Sequence, residues 1–345
     1  MSARPRALEA VPGASARARV VAVVAVAALA AAAAVVGVTL LQTRGERTVP
    51  AGAVSEPRAG YPPLELDFGI RADPEARSLA RAQQLYDRGK VSAAGAVFRR
   101  YRSLEAQIGA AFAAWRQGGG LDALRRLVAA HPRSALAELH LGWALYWSGR
   151  NADAVSAWTR AARLQPDSPY AVYAEDALHP TMPIPGLPPI VTGLSLPRAV
   201  ASLPAAEQLR ALRRAAARPD ARAKLRYGLA LWNLRRPLSA ERQLAAAARL
   251  APDDPVARTA AAVGAFSKAQ PARAFGLLGP LTGVFPKAAV VRFHLGLVLL
   301  WTGEREKAAR QLRLAVADGP RSIYARQARV LLASLAKSRT NGGSR

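Results

Sequence analysis

The sequence predicts an all-α fold: a solenoid of helix–turn–helix repeats preceded by one N-terminal transmembrane helix. Three observations carry this. Pro132 and Pro166 stand 34 residues apart, as do Pro252 and Pro286, and Pro286 and Pro320. A shared skeleton precedes them. Leu141-Gly142, Leu145, Gly149, Ala154, Trp158, Ala161 and Pro166 recur as Leu295-Gly296, Leu299, Gly303, Ala308, Leu312, Ala315 and Pro320, with Tyr227-Gly228, Leu231, Ala240, Leu244, Ala247 and Pro252 as a third copy. A fixed period in the thirties marks stacked units, none of which buries its apolar face alone. Third, Val20 to Leu41 runs 22 residues without a charge or a proline.

Residues 1–19 form a short basic tail with Arg4, Arg6, Arg17 and Arg19. As a helix rising about 1.5 Å per residue, residues 20–41 reach roughly 33 Å, enough for a hydrocarbon core of about 30 Å. The apolar part of a signal peptide runs only about 7–15 residues. The nearest small-x-small site, Ala51-Gly52-Ala53, lies ten residues further on. An uncleaved anchor is therefore expected, with a cleaved signal as the alternative. Four arginines before the segment, against Arg44, Arg47 and Arg58 after it, place the N-terminus in the cytoplasm and the repeats outside. Residues 42–73 hold Pro50, Pro57, Pro62 and Pro63 with Gly45, Gly52, Gly60 and Gly69, and read as an extended spacer. Within it, Leu64 to Phe68 is a short piece suited to docking on the first repeat.

Residues 74–337 read as about seven helical hairpins. In the clearest unit, helix A runs from 135 to 147, Ser148 to Asn151 turns, and helix B runs from 152 to 164 before Gln165-Pro166-Asp167. Gly142 and Ala154 are small where the two helices approach, and Trp158 and Leu145 fill the surrounding space. These residues resemble the tetratricopeptide repeat family, of membrane-anchored bacterial type. The match is good in 135–168, 221–254 and 289–322. It weakens in 255–288, where Ala262 replaces the helix A glycine, and degrades upstream, where Leu85, Gly89, Ala94, Phe98 and Tyr101 outline one unit. Residues 321–337 read as a capping helix and 338–345 as a disordered tail. The resemblance implies a right-handed superhelical solenoid whose A helices line the concave face.

The beat fails once. Pro166 to Pro252 is 86 residues, 18 more than two periods. The excess reads as a loop, 179–202, inside one enlarged unit, 169–220; two repeat blocks joined by a linker is the alternative. Five prolines between Pro180 and Ile190 exclude helix there. The loop is apolar, with Met182, Ile184, Leu187, Ile190, Val191, Leu194 and Leu196, so it either packs in the array's own groove or serves as a proline-rich ligand.

On the concave face the resemblance places Leu139, Trp143, Tyr146 and Trp147, then Leu229 and Trp232, Phe266, Phe293, Leu297 and Trp301. They line a candidate groove for an apolar or amphipathic peptide. The competing reading packs these aromatics under the 179–202 loop. The polar candidates are Arg222, Arg226 and Asn233. The family's clamp for acidic peptides uses Lys, Asn and Arg where this chain is mostly apolar, so that specificity is not carried over.

The chain has a formal charge of +26, from 43 Arg and six Lys against 23 acidic residues. The arginines are spread over every repeat, so nucleic acid is not the expected partner. There is no cysteine. His131, His140, His179 and His294 are far apart, and the matching places of His140 and His294 suggest a role on the repeat surface. No metal motif, phosphate loop or nucleophile–base pair is visible, so neither a cofactor nor an enzymatic activity is expected. The expectation is a non-catalytic, membrane-tethered scaffold in a bacterial envelope assembly, binding an unidentified protein or peptide. The alternatives are a basic adaptor for an anionic envelope polymer or membrane surface, and an accessory subunit.

Overall fold

The computed structural model describes residues 56–340. The basic tail, the anchor at 20–41, the first part of the spacer and the end of the C-terminal tail lie outside the described residues. No helix among the described residues is long and apolar enough to cross a membrane.

The described residues form sixteen α-helices and no strand. Three hairpins come first: α1 (Pro74–Asp87) with α2 (Val91–Phe98), α3 (Leu104–Ala113) with α4 (Gly120–Ala130), and α5 (Ala135–Trp147) with α6 (Asn151–Leu164). Helix α7 (Pro169–Leu178) packs on α5 and α6 and closes this block. The short α8 (Arg198–Ala201) and α9 (Ala205–Ala216) follow. Three more hairpins are α10 (Ala221–Asn233) with α11 (Pro237–Leu250), α12 (Pro255–Gly264) with α13 (Pro271–Val284), and α14 (Ala289–Trp301) with α15 (Arg305–Asp318). Helix α16 (Ile323–Thr340) closes the second block and runs three residues past the expected cap. The starts of α5 and α7, and of α10, α12, α14 and α16, fall 34 residues apart. Six hairpins form where about seven were expected.

The missing hairpin is the enlarged unit at 169–220. Helix α7 packs on α5 and α6, whereas α9 packs on α8 and α10, so the two do not pair. Each has a nearer apolar surface: α7 covers the end of the first block, and α9 turns only Leu212 and Ala216 inward against α10. Two separate hydrophobic cores result, one from Leu64 to Ala174 and one from Ile184 to Leu335.

Side-chain caps start α7 and five of the six A helices, the first of each hairpin; α14 has none. Asp73, Ser103, Ser134, Ser168, Asp220 and Asp254 accept from backbone N–H groups in the first turns of α1, α3, α5, α7, α10 and α12. Within hairpins a small residue meets a large one sixteen residues on. A Cβ on Gly142 would come within 2.3 Å of the Trp158 ring, on Gly228 within 2.7 Å of Leu244, and on Gly296 within 2.9 Å of Leu312. Trp158 is the stiffest of the three partners, and its Nε1 donates to the Leu139 carbonyl at 3.2 Å. Gly142→Ala is therefore expected to cost about 1–3 kcal/mol through overpacking, read as a lower urea midpoint. Gly296→Ala, facing a leucine, is expected to cost less.

Candidate functional site: two straps on the A-helix face

Two stretches without helix cross the A helices. The first strap, 58–68, belongs to what reads in sequence as spacer. Burial alternates along it: Pro62, Leu64 and Leu66 are buried while Tyr61, Pro63, Glu65 and Asp67 are half-buried, the period of an extended chain. It docks well beyond the first repeat. The Tyr86 hydroxyl on α1 donates to the Pro62 carbonyl at 2.7 Å, and Gln83 Nε2 to that of Leu64 at 2.9 Å. The Glu65 N–H donates to His140 Nε2 on α5 at 3.1 Å, and Trp143 Nε1 donates to the Glu65 carboxylate at 2.8 Å. The Arg58 N–H donates to the Trp147 carbonyl at 2.8 Å, and its guanidinium lies 3.4 Å over the Tyr146 ring. At the far end the Tyr170 hydroxyl on α7 donates to the Asp67 carbonyl, and Arg235 pairs with the Asp67 carboxylate at 3.0 Å.

The second strap, 183–196, is the core of the proline-rich insertion, and it lies on the chain's own second block. Ile184, Pro188 and Val191 are buried. Trp232 Nε1 on α10 donates to the Pro188 carbonyl at 2.9 Å, and Trp301 Nε1 on α14 to that of Gly186 at 3.0 Å. The Val191 N–H donates to His294 Nε2 at 2.9 Å, and Arg226 Nε donates to the Ser195 carbonyl at 3.1 Å.

The two histidines are thus interior groups, not surface ones. Each is fully enclosed, with Nδ1 at 2.8 Å from the Leu136 carbonyl in His140 and 2.7 Å from the Val290 carbonyl in His294. A carbonyl only accepts and an amide N–H only donates. Each ring therefore carries its proton on Nδ1 and offers the Nε2 lone pair to the strap. Burial pushes both histidines down to about 4, and the carbonyl bond only partly offsets it.

Among the candidate face residues, Leu139, Trp232, Phe266, Phe293, Leu297 and Trp301 are buried, and Trp143, Tyr146, Trp147, Leu229 and Arg226 are half-buried. Arg222 and Asn233 are exposed. The face is assembled, and much of it is already covered by the chain itself.

Sequence reasoning missed that the straps are copies of one another. Gly60-Tyr61-Pro62-Pro63-Leu64-Glu65 corresponds to Gly186-Leu187-Pro188-Pro189-Ile190-Val191. Pro62 and Pro188 both yield their carbonyl to an aromatic donor of the block's first A helix, and Glu65 and Val191 both yield their N–H to the histidine of its third. Gly60 and Gly186 both adopt positive φ, +87° and +74°. The shared Gly-x-Pro-Pro-aliphatic string was the available signal.

Charge distinguishes the straps. Burial pushes the Glu65 carboxyl up to about 7, against the Trp143 hydrogen bond that lowers it; the nearby Asp176 raises it and Arg235 lowers it. The docked strap therefore favours the protonated acid. Its contribution is complete below about pH 4.5 and is lost as pH rises through about 7. Glu65→Gln keeps an acceptor for Trp143 and removes the titration. Its advantage over the native chain is expected to grow about tenfold in docking equilibrium between pH 6 and pH 8, read by protease cutting within 58–68.

At the block junction, Lys268 is buried. Its Nζ sits 2.7 Å from Asp176 on α7 and donates to the Ile184 carbonyl at 2.8 Å, while its N–H donates to Glu175 at 3.0 Å. Burial raises both carboxyls, and the Lys268 charge pulls Asp176 back down. Among the described residues no group of three acidic, histidine or cysteine side chains is placed to hold a metal.

No family model matches the sequence, and no curated protein matches it. Similar solved structures include YrrB, described as a TPR protein with an unusual peptide-binding site, at 17% identity over 61% of this chain and 98% of that one, TM-score 0.31. A tetratricopeptide repeat protein from Parabacteroides merdae aligns at 14% identity over 76% of this chain and 98% of that one, TM-score 0.32. Yeast Tom70 aligns at 13% identity over 83% of this chain and 52% of that one, TM-score 0.35. The chain is a helical-repeat protein, and the solved structures similar to it include tetratricopeptide repeat proteins.

Proposed function

We propose that this protein is a non-catalytic scaffold that binds extended segments of partner proteins on its A-helix face, tethered to a membrane through residues 20–41 with the repeats outside the cytoplasm. The uncharged 22-residue run and the arginine balance around it support the tether. One observation supports peptide binding above the rest: both blocks already hold an extended segment by backbone-directed bonds from histidine, tyrosine and tryptophan. Groups that pair with main-chain N–H and C=O recognise a peptide as a peptide, while pockets for alternate side chains select among sequences.

The test weakens the first strap by Leu64→Asp in the full chain and pans it against a random displayed peptide library. The variant is expected to enrich peptides with two large apolar residues at alternate positions, and the native chain to enrich them less. No enrichment on the variant beyond that on an unrelated basic protein would sink the proposal.

A further inference from the structure

We infer that the A-helix face reads a Gly-x-Pro-Pro-aliphatic segment in extended form, and that the first strap's site takes such a segment from a partner protein. This rests on the peptide-binding reading above and names its ligand.

The two straps are different sequences that share two main-chain contacts, at the first proline's carbonyl and at the N–H three residues on. They agree at the glycine of positive φ, the two prolines and the aliphatic residue after them. They differ at Tyr61 and Leu187, Glu65 and Val191, Leu66 and Thr192, and Asp67 and Gly193. Two unlike sequences on equivalent contacts amount to a recognition rule, not a single intramolecular fit. Its chemistry is plain. Proline has its φ preset and no N–H to satisfy, so a Pro-Pro step enters an apolar face already extended and with no orphan donor. The first proline's carbonyl meets the aromatic donor, Tyr86 or Trp232. The residue three positions later must carry an N–H for His140 or His294, which excludes proline there.

The straps differ in how they are tied. The second runs between packed helices α7 and α8. The first is joined along the chain to the described helices only through the largely exposed 69–73 segment into α1. It belongs to no hairpin, and its release would uncover the core around Leu64 and Leu66 and strip His140 Nε2, the Tyr86 hydroxyl and Trp143 Nε1 of their partners. An occupant with the same backbone pattern restores those bonds. The strap of a second copy would make the same contacts and lose association entropy, so it gains nothing over the tethered one. A partner segment that adds contacts beyond the site overcomes the tether, whose effective concentration is on the order of millimolar.

The test inserts a protease site between the exposed Arg71 and Ala72 of the full chain and cuts it after folding. The probe is a fluorescein-labelled peptide of residues 186–194, the second strap's sequence, followed by anisotropy. It is expected to bind the cut protein roughly tenfold or more tightly than the uncut one. The same peptide with Val191→Pro, lacking the N–H for His140, is expected to bind roughly tenfold more weakly. Should the insertion disturb helical circular dichroism, the same competition is run on the uninserted chain with Leu64→Asp, which weakens the strap and leaves the Tyr86, His140 and Trp143 side chains of the site in place. If a 58–68 peptide binds and the 186–194 peptide does not, the site reads one sequence; the inference falls and the peptide-binding reading stands. If neither binds after the cut strap has washed away, both fall. A cut strap retained against millimolar peptide closes the site, and uncut chains that pair by exchanging straps give it to a second copy; either overturns the inference.

Discussion

Acidification from pH 6.5 to about 4 is expected to cost the folded chain about 3 kcal/mol for each of His140 and His294. Both are enclosed as neutral rings, so their folded values near 4 lie below the ordinary 6.5. The unfolded chain binds the extra protons first. The contribution is complete above pH 6.5 and shrinks as pH falls toward 4. Structure gives the same sign. A second proton would go on Nε2, the atom that accepts the Glu65 or Val191 N–H, and would set two donors face to face. Glu65 acts oppositely in this window, because protonation favours its docked form. The clean comparison is therefore made in a Glu65→Gln background, by urea unfolding between pH 7 and 4.5. There, His140→Gln with His294→Gln keeps an acceptor for each strap and removes the titration. The double variant is expected to lose several kcal/mol less on acidification than its parent. Equal acid sensitivity in the two would show that the histidines do not hold the straps in this way.

The parts of the fold that obey a period were legible, and the parts held by main-chain contacts were not. The helix starts 34 residues apart follow from proline spacing, and Gly142 opposite Trp158 follows from the small–large alternation. The first strap was legible in part: Leu64-x-Leu66-x-Phe68 stood out as a piece that docks on the first repeat, where Gln83 and Tyr86 hold this stretch, but Pro and Gly suggest a spacer by composition and hid its reach to α5 and α7. The second strap's apolar content did announce a packed segment. The enlarged hairpin was misread because helices α7 and α9 each look able to pair, while only three-dimensional packing shows that each has another neighbour. His140 and His294 were found as a matched pair, but their task is to accept a strap N–H, which leaves no mark on the side-chain pattern. Of the residues that the resemblance places on the A-helix face, six are buried and five half-buried, so covering by the chain's own straps had to be seen in three dimensions, while Arg222 and Asn233 are exposed.

Replacing Lys268 by methionine is expected to destabilise the chain by about 3–5 kcal/mol, the usual cost of removing one partner from a buried ion pair. Methionine matches the stem in length, so packing changes little and the loss is electrostatic. Asp176 would remain buried with only the Gly186 N–H, at 2.8 and 2.9 Å from its two oxygens, and with Arg235 as a weaker countercharge. Its carboxyl, already raised by burial, would rise further and take up a proton, which caps the loss. The Ile184 carbonyl would lose its donor as well, so the strap is loosened at its N-terminal end. Adding Asp176→Asn to Lys268→Met is expected to recover most of the loss, because a neutral amide needs no partner charge, whereas Asp176→Asn alone strands the lysine. The cycle should give a coupling of about 2 kcal/mol or more. The local readout is the indole N–H resonances of Trp232 and Trp301, which donate to Pro188 and Gly186. In Lys268→Met the Trp301 signal should shift toward that of a solvated indole, while that of Trp143, bonded to the other strap, stays in place. Parallel movement of both would mean that the blocks unfold together and that Lys268 holds the junction rather than the strap.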